Sequence, residues 1–333
     1  MPMKIGINGF GRIGRQVLRI AYEQKGVEVV HINDVSDTET LAYLLQSDTT
    51  YGRWAHQVRA EGDRLVIDDG TTITVSAEKD PAQLPWGEKG AEVVLEATGL
   101  FRKKEDAHKH IEAGARKVLI SAPGKSELDG DFILGVNGDQ FDRDQHHIIS
   151  IGSCTTNCLA PVVKVLHDEF GIEKGFINTV HAYTSSQNLL DGPHKKPRRG
   201  RAAAENLVPT STGAAAMIGQ IIPDLDGRLD GIAVRAPVKA GSLLDLTCLL
   251  AADADGERIN DAFRERANGS MKGILAVDDS PLVSSDIIGR EESAIVTSQD
   301  TQLIGDRFIK LLAWYDNEWA FSRRCVDMMQ RMA

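Results

Sequence analysis

A glycine-rich turn caught between an apolar strand and a helix constrains the fold of this chain more than any other feature. Lys4-Ile5-Gly6-Ile7-Asn8 has the composition of a short buried strand, and Gly9-Phe10-Gly11-Arg12-Ile13-Gly14 follows at once. Val17, Leu18 and Ala21 then recur on one helical face. A second strand, Val27-Glu28-Val29-Val30-His31-Ile32, ends in Asn33-Asp34. A GxGxxG pattern alone is weak evidence. Between a strand and a helix, with an acidic residue about twenty positions beyond the last glycine, it is the signature of dinucleotide binding. Gly9 permits the tight turn, Gly11 lets backbone approach a pyrophosphate, and Gly14 lets the helix pack close to the sheet. The pyrophosphate then meets the free N–H groups of the helix start. Asp34 is placed to accept hydrogen bonds from the adenosine ribose and to repel a 2′-phosphate, which favours NAD over NADP. The competing role for Asp34 is that of a turn-forming aspartate after a strand.

The alternation continues. Glu92–Glu96 and Lys117–Ile120 have strand character and end in small polar turns, and residues 103–115 between them have helical character. Strand–helix alternation over the first 150 residues implies an open parallel sheet, with ligands at the carboxyl ends of its strands. Thr98, Gly99 and Ser121 are therefore candidate cofactor neighbours.

The second feature is Ser153-Cys154-Thr155-Thr156-Asn157-Cys158. The β-branched run 146–151 precedes it, Gly152 closes that strand, and Leu159, Val162, Val163 and Leu166 follow at helical spacing. A thiol at a helix N-terminus faces unsatisfied N–H groups and the positive end of the dipole, which favour thiolate. That is a nucleophile for carbonyl chemistry. A lone cysteine is more often a buried structural residue, but the surrounding hydroxyls argue against that here. Cys158, one turn on, is expected to be a small packing residue. No second ligand cluster stands near, so no metal site is expected.

Gly175–His181 is a strand that delivers a histidine, which can serve as base and acid near neutral pH. Residues 184–213 are long, polar and glycine-bearing, which marks a functional segment. Within them, His194–Arg201 matches the pattern of a nucleic-acid or import patch. The formal net charge of −10 argues against nucleic acid as a main partner, so these arginines are better taken as anion-binding or subunit-contacting. Thr210-Ser211-Thr212-Gly213, before apolar Ala214–Ile222, is a helix start and a further anion site. Arg235 is a charge in an otherwise apolar strand and needs an anion. Beyond it, residues 243–251, 293–297 and 308–314 have strand character, 260–267 is helical, and Trp314–Trp319 opens a terminal helix.

Together these residues resemble the phosphorylating glyceraldehyde-3-phosphate dehydrogenases. The similarity runs through Ile7–Arg15, Ser153–Pro161, His181–Asp191, Arg198–Ala204, Pro209–Ala215, Val234–Pro237 and Trp314–Trp319, in that order. The resemblance implies an α/β protein. A Rossmann-type parallel-sheet domain would span 1–152, with the terminal helix 317–333 packed back on it. An α+β catalytic domain with a largely antiparallel sheet would span 153–316. It implies Cys154 as nucleophile and His181 as acid–base partner. Thr184 and Arg235 would hold the substrate phosphate, and Arg199 falls at an arginine of the same anion region. Ser153, Thr155, Thr212 and Gly213 would hold the attacking inorganic phosphate. Arg12, Ile13, Asp34, Thr98, Gly99, Ser121 and Asn317 match cofactor positions, and Lys79 stands where the family usually has arginine near the adenine. The reaction implied is NAD-dependent oxidation of glyceraldehyde 3-phosphate through a hemithioacetal and a thioester, in a homotetramer. NADP is the weaker cofactor, because Asn33-Asp34-Val35-Ser36-Asp37 is similar to members that accept both.

Two rivals stay close. Erythrose-4-phosphate dehydrogenases share the cysteine and histidine but typically lack the Tyr-Thr found here as Tyr183-Thr184. Other acylating aldehyde dehydrogenases lack the extended match at 184–213. A non-enzymatic role for Lys195–Arg201 would be secondary. Four cysteines, no secretion-signal pattern and no apolar run of about 20 residues point to a cytoplasmic protein without a membrane span. Asp34→Ala is expected to lower the ratio of kcat/KM with NAD to that with NADP, and an unchanged ratio would reject Asp34 as the selector.

Overall fold

Strand polarity distinguishes the chain's two large sheets, and one of the two sequence features lies beside each. The computed structural model describes residues 2–333. They form two compact units. The first holds the residues up to Phe132, with Gln140–Gly152 and Ser322–Ala333; the second holds Ile133–Asp139 and Ser153–Phe321.

In the first unit a nine-stranded sheet runs in the order Gly130–Asp131, Ile148–Ser150, Lys117–Ile120, Val93–Glu96, Met3–Asn8, Val27–Asn33, Thr72–Ser76, Arg64–Ile67, Val58–Ala60. The first seven pair in parallel and the last two are antiparallel additions. The chain leaves Met3–Asn8 for a neighbour on one side and returns to Val93–Glu96 on the other, so the order reverses at the end of that strand. A crevice opens at such a reversal, outside the carboxyl ends of the strands. The antiparallel hairpins at residues 58–76 were not anticipated; their strands are only three to five residues long. The helix expected at 103–115 is Lys104–Glu112, and Gly114 at φ +98° lies just beyond its end. The strand expected at 146–151 is only Ile148–Ser150.

In the second unit the strand order is Val208–Ser211, Leu229–Ala236, Ile172–Ala182, Ser242–Leu250, Phe308–Tyr315, Ala294–Thr297, Leu275–Asp278, with Gln302–Ile304 also on Phe308–Tyr315. Five pairings are antiparallel and two are parallel, among them Ile172–Ala182 with Leu229–Ala236. The helix Cys154–Phe170 lies on one face, with Leu159, Val162, Val163 and Leu166 buried against Leu244, Leu246, Val296 and Leu311. Cys158 is fully buried in this core, as a packing residue would be. Helix Gly256–Asn268 joins the same core through Ile259 and Phe263. Ser242–Leu250 alternates buried and half-buried residues along its length, the period-2 pattern of a sheet with one dry face.

The segment expected to be irregular from 184 to 213 is partly ordered. Pro197–Gly200 makes a 3₁₀ turn and Val208–Ser211 joins the sheet edge. Thr210 and Ser211 are therefore strand residues, and the next helix, Ala214–Ile221, is capped by Gly213 without a side-chain bond from it.

Candidate functional site

The first unit carries a cleft of about 530 Å³ where the strand order reverses, bordered by Gly9, Gly11, Asp34, Lys79 and Thr98. Gly9 sits at φ +94°, and a Cβ there would come within 2.6 Å of the Thr98 backbone nitrogen. A Cβ on Gly14 would lie 2.3 Å from the Gly9 carbonyl oxygen, so the helix Arg12–Glu23 packs on the turn only because both are glycine. A Cβ on Gly11 would meet no protein atom within 4 Å. It would stand in the mouth of the helix N-terminus, the space a pyrophosphate needs. These residues fit a dinucleotide.

Asp34 shapes the turn and borders the cleft. One carboxylate oxygen accepts from the Phe10 N–H at 2.7 Å and the other from the Ser36 N–H at 3.0 Å, while the side chain borders the cleft. Thr98 is held by Glu96, whose carboxylate accepts from the Thr98 N–H at 2.8 Å and from the Thr98 hydroxyl. Glu96 also accepts from the Asn8 amide at 2.6 Å and lies 3.2 Å from His110 Nε2, all buried. Sequence reasoning missed Glu96. Its signal was a carboxylate at the end of an apolar strand, which must find several donors to be buried. Arg12 pairs with Asp48, and Ile13 lies in the first turn of its helix. Gly99 takes φ +72°, and the Ser121 hydroxyl donates to the Glu96 carbonyl at 3.0 Å. Asn317 belongs to the second unit, where its Oδ1 accepts from the Ser242 hydroxyl at 3.0 Å.

The second unit brings the cysteine and histidine together. Ser153 is the N-cap of the helix, its Oγ accepting from the Thr156 N–H at 3.1 Å. Cys154 is thus the first helical residue, and its Sγ lies 3.3 Å from Nε2 of His181. His181, next to last in its strand, stands directly opposite Arg235 in parallel register. Nδ1 of His181 lies 2.7 Å from the Ala182 carbonyl and 2.7 Å from Nη1 of Arg235, which also donates to that carbonyl at 3.0 Å. Nearby on the same sheet edge, Arg199 Nε donates to the Thr210 hydroxyl at 3.0 Å. The Thr184 and Ser186 hydroxyls are 2.8 Å apart, and Arg199 Nη1 reaches Ser186 at 3.4 Å. The Thr212 hydroxyl accepts from the Ala214 N–H at 3.3 Å, and a Cβ on Gly213 would meet nothing within 4 Å.

Electrostatics corrects the simplest expectation. The helix start favours thiolate, yet burial pushes the Cys154 thiol above its ordinary range, with Arg235 and Thr155 pulling it back. Burial, then the Arg235 charge, pushes His181 down to about 3. Burial likewise lowers Arg235 and Arg199. Both shifts run toward the neutral forms, thiol and imidazole, between which a proton can pass when charge is needed. The basic run is largely spoken for: Lys196 donates to Ser211 at 2.8 Å, and Arg201 pairs with Asp191 at 2.9 Å. All four cysteines are free. Among the described residues no group of three or more His, Cys, Asp or Glu could hold a metal ion, and no helix is long and apolar enough to cross a membrane.

Comparison with known proteins agrees with both units. A profile described as "Glyceraldehyde 3-phosphate dehydrogenase, NAD binding domain" matches residues 3–104. One described as "Glyceraldehyde 3-phosphate dehydrogenase, C-terminal domain" matches residues 153–317. The glyceraldehyde-3-phosphate dehydrogenase of Priestia megaterium is 49% identical over 333 residues, covering 100% of this chain and 99% of its own. That of Kitasatospora aureofaciens is 52% identical over 331 residues, covering 99% of each. That of Geobacillus stearothermophilus is 48% identical, covering 100% of this chain and 99% of its own.

Arg235→Leu removes the cation that lowers both members of the pair. The pH midpoint for alkylation of Cys154 by iodoacetamide is expected to rise, and the His181 titration followed by NMR to rise as well. A midpoint that stays or falls would show that Arg235 does not set the thiol.

Proposed function

The chain belongs to the glyceraldehyde-3-phosphate dehydrogenase family, and from that premise we propose a role for each residue gathered at Cys154. The protein is an NAD-dependent oxidoreductase that carries out the oxidative phosphorylation of glyceraldehyde 3-phosphate in glycolysis. The observation that carries the assignment of roles is the 3.3 Å approach of Sγ of Cys154 to Nε2 of His181 beside an arginine.

Cys154 Sγ attacks the aldehyde carbon as its proton passes to His181 Nε2, and His181 returns a proton to the new oxyanion, giving a hemithioacetal. His181 then takes the hydroxyl proton back as the carbon is oxidised to a thioester. The cleft of Gly9, Gly11, Asp34, Lys79 and Thr98 would hold NAD, which would supply the hydride acceptor. Arg12, Ile13, Gly14, Gly99, Ser121 and Asn317 are assigned to the same cofactor. Inorganic phosphate attacks the thioester, and the Cys154 thiolate leaves, stabilised by the helix start and Arg235. Thr184, Arg199 and Arg235 hold the substrate phosphate; Ser153, Thr155, Thr212 and Gly213 hold the attacking one. Two anionic reactants suit a site built from hydroxyls, a helix N-terminus and arginines. The first unit is the cofactor domain and the second the catalytic domain.

The working form is a homotetramer in the cytoplasm. The outer face of the second unit's sheet exposes Phe176 at 70% and Ile232 at 53%, and the 184–207 segment exposes Leu189 at 76% and Leu190 at 76%. Apolar groups of this size left in water mark surfaces that other subunits cover. Sedimentation equilibrium should give about four times the chain mass of 36.3 kDa. A monomer at micromolar concentration would reject the assembly.

Initial rates with D-glyceraldehyde 3-phosphate should require inorganic phosphate and favour NAD. Cys154→Ser should still fold and bind NAD but lose on the order of 10⁴-fold in turnover. Full turnover in that variant would sink the mechanism. Activity on erythrose 4-phosphate alone would move the assignment to the sister enzyme.

A further inference from the structure

One buried residue beside the nucleophile is left without a task by this mechanism. Tyr315 is 1% exposed, and its hydroxyl lies between two others: 2.9 Å from Thr155 Oγ1 and 2.7 Å from Thr179 Oγ1. Its ring stands edge-on to His181 with centroids 6.0 Å apart. Thr155 follows Cys154 on the helix, and Thr179 precedes His181 by two residues on its strand. The three hydroxyls thus join the two elements that carry the candidate pair.

Their protons can be ordered. Thr179 is 1% exposed, and Tyr315 is the one side-chain partner of its hydroxyl. If Tyr315 donated to Thr179, the Thr179 proton would be stranded in a dry site, and a buried unmatched donor is costly. If Thr179 donates to Tyr315 and Tyr315 to Thr155, every proton but the last has an acceptor. The last belongs to Thr155, and its hydroxyl is left free to donate toward the reacting sulfur and any anion beside it. Thr155 is also among the groups that pull the Cys154 thiol down, which places its side chain beside the sulfur. Burial holds the Tyr315 phenol well above its ordinary range, so the chain keeps its proton at all working pH values. Each bond polarises the next, which strengthens the terminal donor.

We propose that Tyr315 is a positioning residue: the chain Thr179 to Tyr315 to Thr155 fixes the Thr155 hydroxyl as a donor to the incoming phosphate. The proposal rests on the reading of Thr155 as a phosphate ligand, and the test separates the two. Steady-state kinetics with inorganic phosphate varied would compare Tyr315→Phe, Thr155→Val, Thr155→Ser and the double variant Tyr315→Phe/Thr155→Val. Tyr315→Phe keeps the ring and should raise the phosphate KM about three- to tenfold, the weight of one hydrogen bond, with the KM for NAD unchanged. Thr155→Ser should behave as the parent and remain sensitive to Tyr315→Phe. The double variant should be no worse than Thr155→Val alone, since the chain then has nothing to orient.

A phosphate KM unmoved by Tyr315→Phe while Thr155→Val raises it would overturn the chain and leave the phosphate ligand standing. Effects that simply add in the double variant would show Tyr315 to be packing only. A phosphate KM unmoved by Thr155→Val would remove the phosphate reading of Thr155 and the proposal with it. Should Tyr315→Phe fail to fold, Thr179→Val removes the head of the chain. It should raise the phosphate KM by a smaller factor that vanishes in the Thr155→Val background, and no rise would again overturn the chain.

Discussion

The second unit is organised around one short approach, that of a thiol to an imidazole. Neither group holds itself in place. Ser153 caps the helix and so fixes where Cys154 starts it. The apolar stripe of Leu159, Val162, Val163 and Leu166 seats that helix on the sheet. On the other side, parallel register sets His181 against Arg235, and the antiparallel partner Ser242–Leu250 holds the histidine strand from its other edge. The contacts that place sulfur and nitrogen 3.3 Å apart run from the core to half-buried Ser153 and Arg235 at its margin. Stability and chemistry therefore draw on the same residues.

Charge in this site is deferred rather than stored. Burial works against both the thiolate and the imidazolium, and Arg235 pulls the two in unequal ways, favouring the thiolate and opposing the imidazolium. A pair that is neutral at rest avoids the cost of an isolated buried ion pair. It also leaves Arg235 with excess positive charge in a half-buried strand, which an anionic substrate would satisfy. An anion bound beside Arg235 would offset its influence on His181 and make the imidazole a better base.

Local signals made much of this legible in the sequence. The Gly9, Gly11 and Gly14 spacing worked because each glycine answers a separate backbone constraint, and two of those constraints appear as distances under 3 Å. Cys154 was legible because hydroxyls surround it, and His181 because a strand ends there. The parts that escaped depend on distant partners. Glu96 looks like an ordinary strand residue until Asn8, Thr98 and His110 are brought around it. Tyr315 meets Thr155 across 160 positions of chain. The hairpins at 58–76 and the edge strand Val208–Ser211 are three to five residues long, too short for periodicity alone to declare them. The free-thiolate expectation came from the helix terminus alone and lacked the burial that opposes it.

The parallel pairing of the histidine and arginine strands has a consequence for how the chain comes into being. Side chains alternate along a strand, so a slip of one residue between Ile172–Ala182 and Leu229–Ala236 would turn His181 and Arg235 toward opposite faces. No partly correct register leaves a partly working centre. Parallel pairs also close long loops before they are rewarded, which makes them slow to form. Secondary structure can therefore be complete in a folding chain while Cys154 still reacts as an ordinary thiol. The appearance of its distinctive reactivity is a clock for the moment the last register locks.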